Sequence, residues 1–354
     1  MNSVRFYWVT IRPLLEKILL GLVAVVALLY GYSLYEPQQQ NISSDDSDSS
    51  QTLSLEEIEA ERGEELVLDG KIYFTAVNPE DDLPYTYAYD VAGDYIEKVT
   101  DIAFMTEFEY VNEYESYLTM VTGEETDPDN PEFVRPAFYN STTTEAVLLN
   151  TVPAYNEMGI TYAISEEPIY AWSEQAELVG LEENGGALEH WQVRIGSTAF
   201  TEEIIFEDAA HPVFAAGNEV VVFAREDGVY GHNLFTGESR LMSNAYSGLS
   251  IYDEFDITQD GKYLVLAMPS LGIVSLQQLD TQAGAFYEYY AIVAEEGTYS
   301  SPQLSLNGDF YAVVRTEDAA TYLEIRTVHT DVLVQEEVLS NDIQGPFALE
   351  DWVY

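Results

Sequence analysis

The chain has no cysteine. Disulfides, thiolate metal ligands and a cysteine nucleophile are therefore excluded. Basic residues are scarce as well. Thirteen Lys and Arg face 63 Asp and Glu, giving a formal charge of −50 over 354 residues. Only four lysines occur: Lys17, Lys71, Lys98 and Lys262. A field of that sign repels phosphodiester backbones and argues against nucleic acid as a partner. It also repels anionic lipid headgroups from the globular part. Three signatures are missing: the Gly-x-x-x-x-Gly-Lys loop, the Gly-x-Gly-x-x-Gly fingerprint and the Gly-x-Ser-x-Gly elbow. Their absence removes the usual sequence signs of phosphate cradles and strained serine nucleophiles.

What is present suggests strands. Hydrophobic residues make up 47%, enough to build a large core. Tyrosine is abundant, with 27 copies, and Tyr, Phe, Val, Ile and Thr dominate the apolar runs. These residues fit a pleated, half-buried surface. The many carboxylates read as an acidic solvated face, or as a surface for cations or a basic partner.

The first 35 residues differ from the rest. Positions 18–35 form an uncharged apolar run, and Leu14 and Leu15 extend it to about one bilayer thickness, for which ~20 residues suffice. Arg5, Arg12 and Lys17 precede it, and the next basic residue is Arg62. The positive-inside rule places residues 1–13 in the cytoplasm, 14–35 in the membrane as a signal-anchor, and the rest outside. A cleaved signal peptide is the alternative, although Gly31-Tyr-Ser33 makes a crowded cleavage site. Residues 36–63 are polar and acidic. Ser43 to Ser50 cannot bury a core, and Ser54-Leu-Glu-Glu57 fits a capping box for a short helix.

Beyond residue 63 a strand-forming phrase recurs. It begins at Pro168, Pro212, Asp253, Pro302 and Pro346, at spacings of 41 to 49 residues. Self-similarity at this period predicts propeller blades, each a four-stranded sheet. Residues 64–354 then divide into six blades. The first lacks an opening strand and starts at Lys71–Val77. The chain ends at Pro346-Phe-Ala-Leu349, an opening phrase with no blade behind it. The C-terminal strand is therefore expected to complete the N-terminal blade and close the ring. In the third blade the pattern places strands at Ile169–Trp172, Glu177–Gly180, His190–Ile195 and Thr201–Phe206.

Thr258-Gln-Asp-Gly-Lys-Tyr-Leu-Val-Leu and Ser305-Leu-Asn-Gly-Asp-Phe-Tyr-Ala-Val resemble the Ser-Pro-Asp-Gly-Lys repeat of TolB-like, or WD40-like, β-propellers. The match is good over two repeats and loose over the other four. The Gly-His and Trp-Asp dipeptides of true WD40 repeats are absent from these phrases. The resemblance implies an all-β propeller. It also implies a role shared by many of that family, as an interaction platform in the periplasm or at the surface. It implies no activity, because propellers carry binding modules and enzymes alike.

The chemistry-bearing residues are dispersed. His190, His211, His232 and His329 fall in different repeats, and no pair has chelating spacing. His211 precedes Pro212 at a blade entrance, where it could face the axis. Asp127-Pro-Asp129-Asn-Pro-Glu132 offers alternating oxygen ligands in a stiff loop and could hold Ca²⁺. It lacks the glycine and spacing of an EF-hand, so a polar hairpin tip is the competing reading. Carboxylate pairs abound among 63 acids, so paired-carboxylate catalysis is neither singled out nor excluded. Tyr85, Tyr87, Tyr89 and Tyr95 share one blade, and Phe286, Tyr287, Tyr289 and Tyr290 another. Alternate members belong in the core, and the others could form a recognition patch.

The sequence thus predicts a membrane-anchored, extracytoplasmic six-bladed propeller with no cofactor, apart from the Ca²⁺ candidate. It would bind a protein or envelope component, with a subunit of an envelope complex as one form of that role. A carboxylate-dependent lyase or glycan hydrolase with its site at the axis is the alternative. The charge makes a first test. Residues 64–354 should melt at rising temperature as NaCl increases towards molar, because salt screens self-repulsion. Under pure screening Ca²⁺ and Mg²⁺ act alike at equal ionic strength. A true site at Asp127, Asp129 and Glu132 would instead show a Ca²⁺-specific rise that their alanine variants lack. A melting temperature flat across all salts would contradict both outcomes.

Overall fold

A computed structural model describes residues 66–99, 105–111, 116–121, 135–140, 145–148, 155–163, 169–176, 186–197, 204–215, 217, 219–294, 297–318, 320–339 and 343–353. The apolar run at 14–35, the tether at 36–63 and the Ca²⁺ candidates Asp127, Asp129 and Glu132 lie outside the described residues. Among the described residues no helix is long and apolar enough to cross a membrane.

The strands pair into six four-stranded antiparallel sheets. Sheet 1 holds β1 (Lys71–Asn78), β2 (Leu83–Asp90) and β3 (Tyr95–Lys98). Sheet 2 holds β4 (Met105–Val111), β5 (Ser116–Val121), β6 (Arg135–Asn140) and β7 (Glu145–Leu148). Sheet 3 holds β8 (Tyr155–Ala163), β9 (Ile169–Gln175), β10 (Trp191–Ser197) and β11 (Ile204–Glu207). Sheet 4 holds β12 (Ala210–Ala215), β13 (Val220–Arg225), β14 (Gly228–Asn233) and β15 (Ser239–Ser243). Sheet 5 holds β16 (Glu254–Ile257), β17 (Tyr263–Met268), β18 (Ile273–Asp280) and β19 (Ala285–Val293). Sheet 6 holds β20 (Thr298–Leu304), β21 (Phe310–Glu317), β22 (Ala320–Thr327) and β23 (Leu333–Val338). The last strand, β24 (Gln344–Val353), returns to β1 and completes sheet 1. The architecture is an all-β propeller. Five of its sheets carry described side chains and form five blades with visible packing. In sheet 2 the backbone pairing is described but, apart from Ala137, the side chains are not.

The closing strand pairs as its sequence requires. Ile72 lies opposite Trp352, Phe74 opposite Leu349 and Thr75 opposite Ala348. Trp352 is buried, and its indole N–H donates to the Asp69 carbonyl at 3.1 Å. Gly70 sits beside it at φ +98°. A Cβ there would come within 2.4 Å of the Val353 carbonyl oxygen, so only glycine lets the two chain segments approach.

Sheet 5 is buried on both faces. Leu264, Leu266 and Met268 of β17 pack with sheet 4, whereas Val265 and Ala267 pack with sheet 6. That two-sided burial explains an unbroken apolar run where a half-exposed strand would alternate. Similar clusters join sheet 3 to sheet 4 and sheet 6 to sheet 1. Successive opening strands β24, β4, β8, β12, β16 and β20 are spatial neighbours, and β20 adjoins β24. They form the inner layer.

One expectation is corrected. Ile169–Trp172 is not an opening strand but part of β9, the second strand of its sheet, and β8 opens it. The reason lies in what the recurring proline does. In β12 two residues, His211 and Pro212, lie where the partner strand supplies one. Ser301 and Pro302 make the same bulge in β20. Proline suits a bulge because it has no N–H to lose from the ladder. In β8 the corresponding extra pair is Gly159-Ile160, so the third repeat lacks the proline that would have set its phase. The expected strand at Glu177–Gly180 lies outside the described residues.

Removing the closing strand should expose the β1 edge and empty the pocket around Phe347, Leu349 and Trp352. Trp352→Ala should cost ~3–5 kcal/mol in chemical denaturation, as truncation of a buried aromatic does. Deletion of residues 345–354 should cost more. An unchanged denaturation midpoint in both would refute the closure.

Candidate functional site

The bulges set the geometry of the inner layer. His211 and Ser301 adopt left-handed φ values of +54° and +47°, unusual for residues other than glycine. His211 is held on two sides. Its N–H donates to Ser173 Oγ at 2.9 Å, and its ring Nε2 lies 2.7 Å from the Ile251 carbonyl oxygen. The histidine therefore clamps β12 to sheet 3 and to the segment before β16.

Asp256, on β16, is the inner-layer residue with the most distinctive chemistry. Its carboxylate accepts the N–H of Leu304 from β20 at 2.7 Å and that of Ile257 at 2.7 Å. It thereby ties sheet 5 to sheet 6. Loss of water raises its pKa to about 7, against the pull of those two N–H groups. The charge of Asp351 on β24 pushes in the same direction as burial. Two carboxyl groups thus interact within the inner layer, on strands that flank β20, and one of them titrates near neutrality.

The other histidines are kept apart. His190 ends a short 3-10 turn and lies 3.3 Å from the Glu189 carboxylate. His232 on β14 is buried, with Nδ1 2.8 Å from Ser239 Oγ and its ring against Phe206. Burial lowers its pKa, because loss of water disfavours the charged imidazolium. His329 meets the edge of Tyr263 at 5.1 Å. Among the described residues no group of three or more His, Asp or Glu could hold a metal.

The turns that carry the family resemblance line a cleft of about 210 Å³ between sheets 5 and 6. Thr258 Oγ donates to Asp260 Oδ1 at 2.8 Å and accepts the N–H groups of Lys262 and Tyr263. Ser305 acts likewise. Its Oγ meets Asn307 Oδ1 at 2.7 Å and accepts the Phe310 N–H at 3.0 Å. Gly261 and Gly308 both take φ +72°. The repeated Thr/Ser-x-Asp/Asn-Gly phrase is thus a hairpin staple: hydroxyl and carbonyl oxygens satisfy the turn, and glycine supplies positive φ. Asp260, Lys262, Asp309 and His329 line the cleft, and Asp260 is ion-paired with Lys262.

The tyrosines divide. Tyr85, Tyr87 and Tyr89 are buried in sheet 1, and Tyr95 is exposed. Phe286 is buried in sheet 5. Tyr289 reaches inward and donates to the Val328 carbonyl. Tyr287 and Tyr290 remain exposed on β19. Sequence reading missed Asp256, because one acid among 63 carries no mark until neighbouring strands dehydrate it.

No protein-family model matches the chain, and no curated protein matches it. Solved structures do. TolB from Acinetobacter baumannii superposes with a TM-score of 0.58 at 12% identity, over 83% of this chain and 70% of that one. A protein from Lactobacillus plantarum gives 0.46 at 14% identity, over 78% and 83%. The Cps50 (Swd1) β-propeller domain of Myceliophteria thermophila gives 0.48 at 10% identity, over 77% and 87%. At these identities the likeness is one of fold.

The Asp256 carboxyl yields a pH prediction. Its folded-state pKa lies above the ~4 of an exposed aspartate, so folding favours the protonated form. That contribution is complete below about pH 4 and is lost as pH rises through about 7. Asp256→Asn is neutral throughout. Its melting temperature relative to the native protein should rise steadily from pH 4 to pH 8. A difference constant over that range would show that Asp256 is not perturbed.

Proposed function

We propose that the protein is a membrane-anchored, extracytoplasmic interaction module, with the six sheets acting as six blades around one axis. The observation that carries this reading is a strip of exposed apolar and aromatic side chains on one outer strand. Tyr287, Tyr290 and Val293 of β19 are 48%, 40% and 63% exposed. Leu271, 57% exposed, stands in the β17–β18 loop next to that strand's end. Isolated surface hydrophobes are ordinary, but several on one edge mark a contact surface. The fold likeness to TolB agrees with a module of this general kind. The partner is an extracytoplasmic protein or envelope component, and residues 14–35 hold the module at the bilayer.

A second reading has its own observation. Asp256 and Asp351 lie on inner strands, and Asp256 titrates near neutral pH, as a general acid requires. That pair would serve a carboxylate-dependent lyase or glycan hydrolase acting at the axis.

Two measurements test the first reading. Protease added to intact spheroplasts should digest the chain beyond about Glu36, and protection of the C-terminal region would reverse the orientation. Immobilised full-length chain, incubated with detergent-solubilised membranes, should retain a saturable protein partner at high salt. Retention that vanishes when salt screens the acidic surface would leave only bulk charge attraction. Turnover of an acidic polysaccharide, abolished by Asp256→Asn, would favour the second reading.

A further inference from the structure

The inference deepens the proposed interaction role and rests on it. It concerns the free edge of sheet 5. The outer strands β3, β7, β11, β15 and β23 span four to six residues. The outer strand β19 spans nine, Ala285–Val293, and no strand pairs with its outward side among the described residues.

Such an edge is normally guarded by lysine, by proline or by shortness. The sequence Ala-Phe-Tyr-Glu-Tyr-Tyr-Ala-Ile-Val has no lysine and no proline. Its one charge, Glu288, is engaged: the carboxylate accepts the hydroxyls of Tyr246 and Ser275 at 2.5 and 2.6 Å. One guard exists. Tyr289 is an extra residue against β18, since Leu276 faces Tyr290 and Gln277 faces Glu288. Past that bulge Tyr290 to Val293 run in unbroken register with Leu276 to Ile273. The Ala294 N–H donates to the Gly272 carbonyl at 2.8 Å. Strand alternation then turns the N–H groups of Ala291 and Val293 outward, away from β18.

The surrounding charge selects the occupant. An edge with almost no charge of its own lies on a molecule with 63 acids and 13 bases. A second copy brings the same −50 and is repelled, whereas a basic segment is attracted. We propose that the outward edge of β19 receives an extended segment of a partner protein as an added strand. By the register with β18, Tyr287 and Tyr290 share one face of β19 and Val293 lies on the other. Apolar residues of the segment would lie against Val293, and alternating Lys or Arg would stand on the tyrosine face in the acidic field. Main-chain hydrogen bonds to Ala291 and Val293 would give affinity, and the side-chain alternation specificity.

The test uses full-length protein in detergent and a labelled nine-residue peptide alternating valine and lysine, read by fluorescence anisotropy. Two control peptides are valine alternating with glutamate, and the Val/Lys composition with its valines blocked together. The alternating Val/Lys peptide should bind at least tenfold more tightly than either control. Ala291→Pro removes an outward N–H and should weaken binding at least tenfold. Val293→Lys alters only an exposed side chain, and it should weaken binding similarly even if the proline variant misfolds. Phe235→Lys adds the same charge at an exposed site on another blade and should change binding less than twofold. Equal binding of both Val/Lys peptides, or equal loss in Val293→Lys and Phe235→Lys, would reduce the effect to bulk charge and overturn the proposal. A dimer seen by light scattering and dissolved by Val293→Lys would overturn it in favour of a second copy. Retention of the membrane partner by Val293→Lys protein would remove the edge site and leave the interaction role intact. Val/Lys binding at β19 without any saturable membrane partner would do the reverse.

Discussion

The pairing of β1 with β24 is the interaction on which the rest depends. It joins segments so far apart that Trp352 bonds the carbonyl of Asp69, 283 residues away. Without it β1 would be an open edge, and sheet 6 would lose the apolar face it packs against. Phe74, Leu349 and Trp352 share one cluster with Phe310, Val314 and Leu323 of sheet 6. Closing so long a loop adds only logarithmically to the entropy cost, but the contact is non-local and forms only after much of the chain is organised. Closure therefore bears on both stability and folding rate.

Within that ring, two small devices recur. Bulges with two residues against one bend the opening strands, and hydroxyl-pinned turns connect them to the second strands. Neither device binds anything by itself. On the inner layer Asp256 reaches the backbone of the next blade and loses water. The same dehydration acts elsewhere. Glu324, 2% exposed, is ion-paired with Arg315 and Arg326, and Arg326 also reaches Asp331. Burying one carboxylate between two guanidinium groups is tolerable because each charge is matched and hydrogen-bonded. In a chain with 13 basic residues, two serve this one acid. Removing either arginine would leave charge in a dry place.

The surface follows the opposite logic. Excess carboxylate keeps the exterior solvated and repels other copies of the chain. Against that background an edge strand with a single, engaged carboxylate is conspicuous, and the long-range field favours basic partners. Shape at β19 and charge everywhere else therefore act together: the field draws a partner in, and the strand edge orders it.

The sequence by itself determined the strand-rich class, the repeat and the need for a closing strand. The class rests on abundant Tyr, Phe, Val, Ile and Thr, the repeat on phrases spaced 41 to 49 residues apart, and the closure on an unmatched opening phrase at the C-terminus. It also separated Phe286 from Tyr287, because alternation assigns opposite faces. The third repeat was misphased because a bulge made by Gly159-Ile160 leaves no proline to read. Only the tertiary structure decided which of the 63 acids is unusual. Asp256 is distinguished by the strands that exclude water around it and by Asp351, 95 residues further along the chain. The exposure of β19 was likewise settled by packing. Tyr289 reaches the Val328 carbonyl of sheet 6 while Tyr287 bonds Gln278 of its own sheet and stays half exposed, and a bulge at Tyr289, which no local pattern announces, sets that difference.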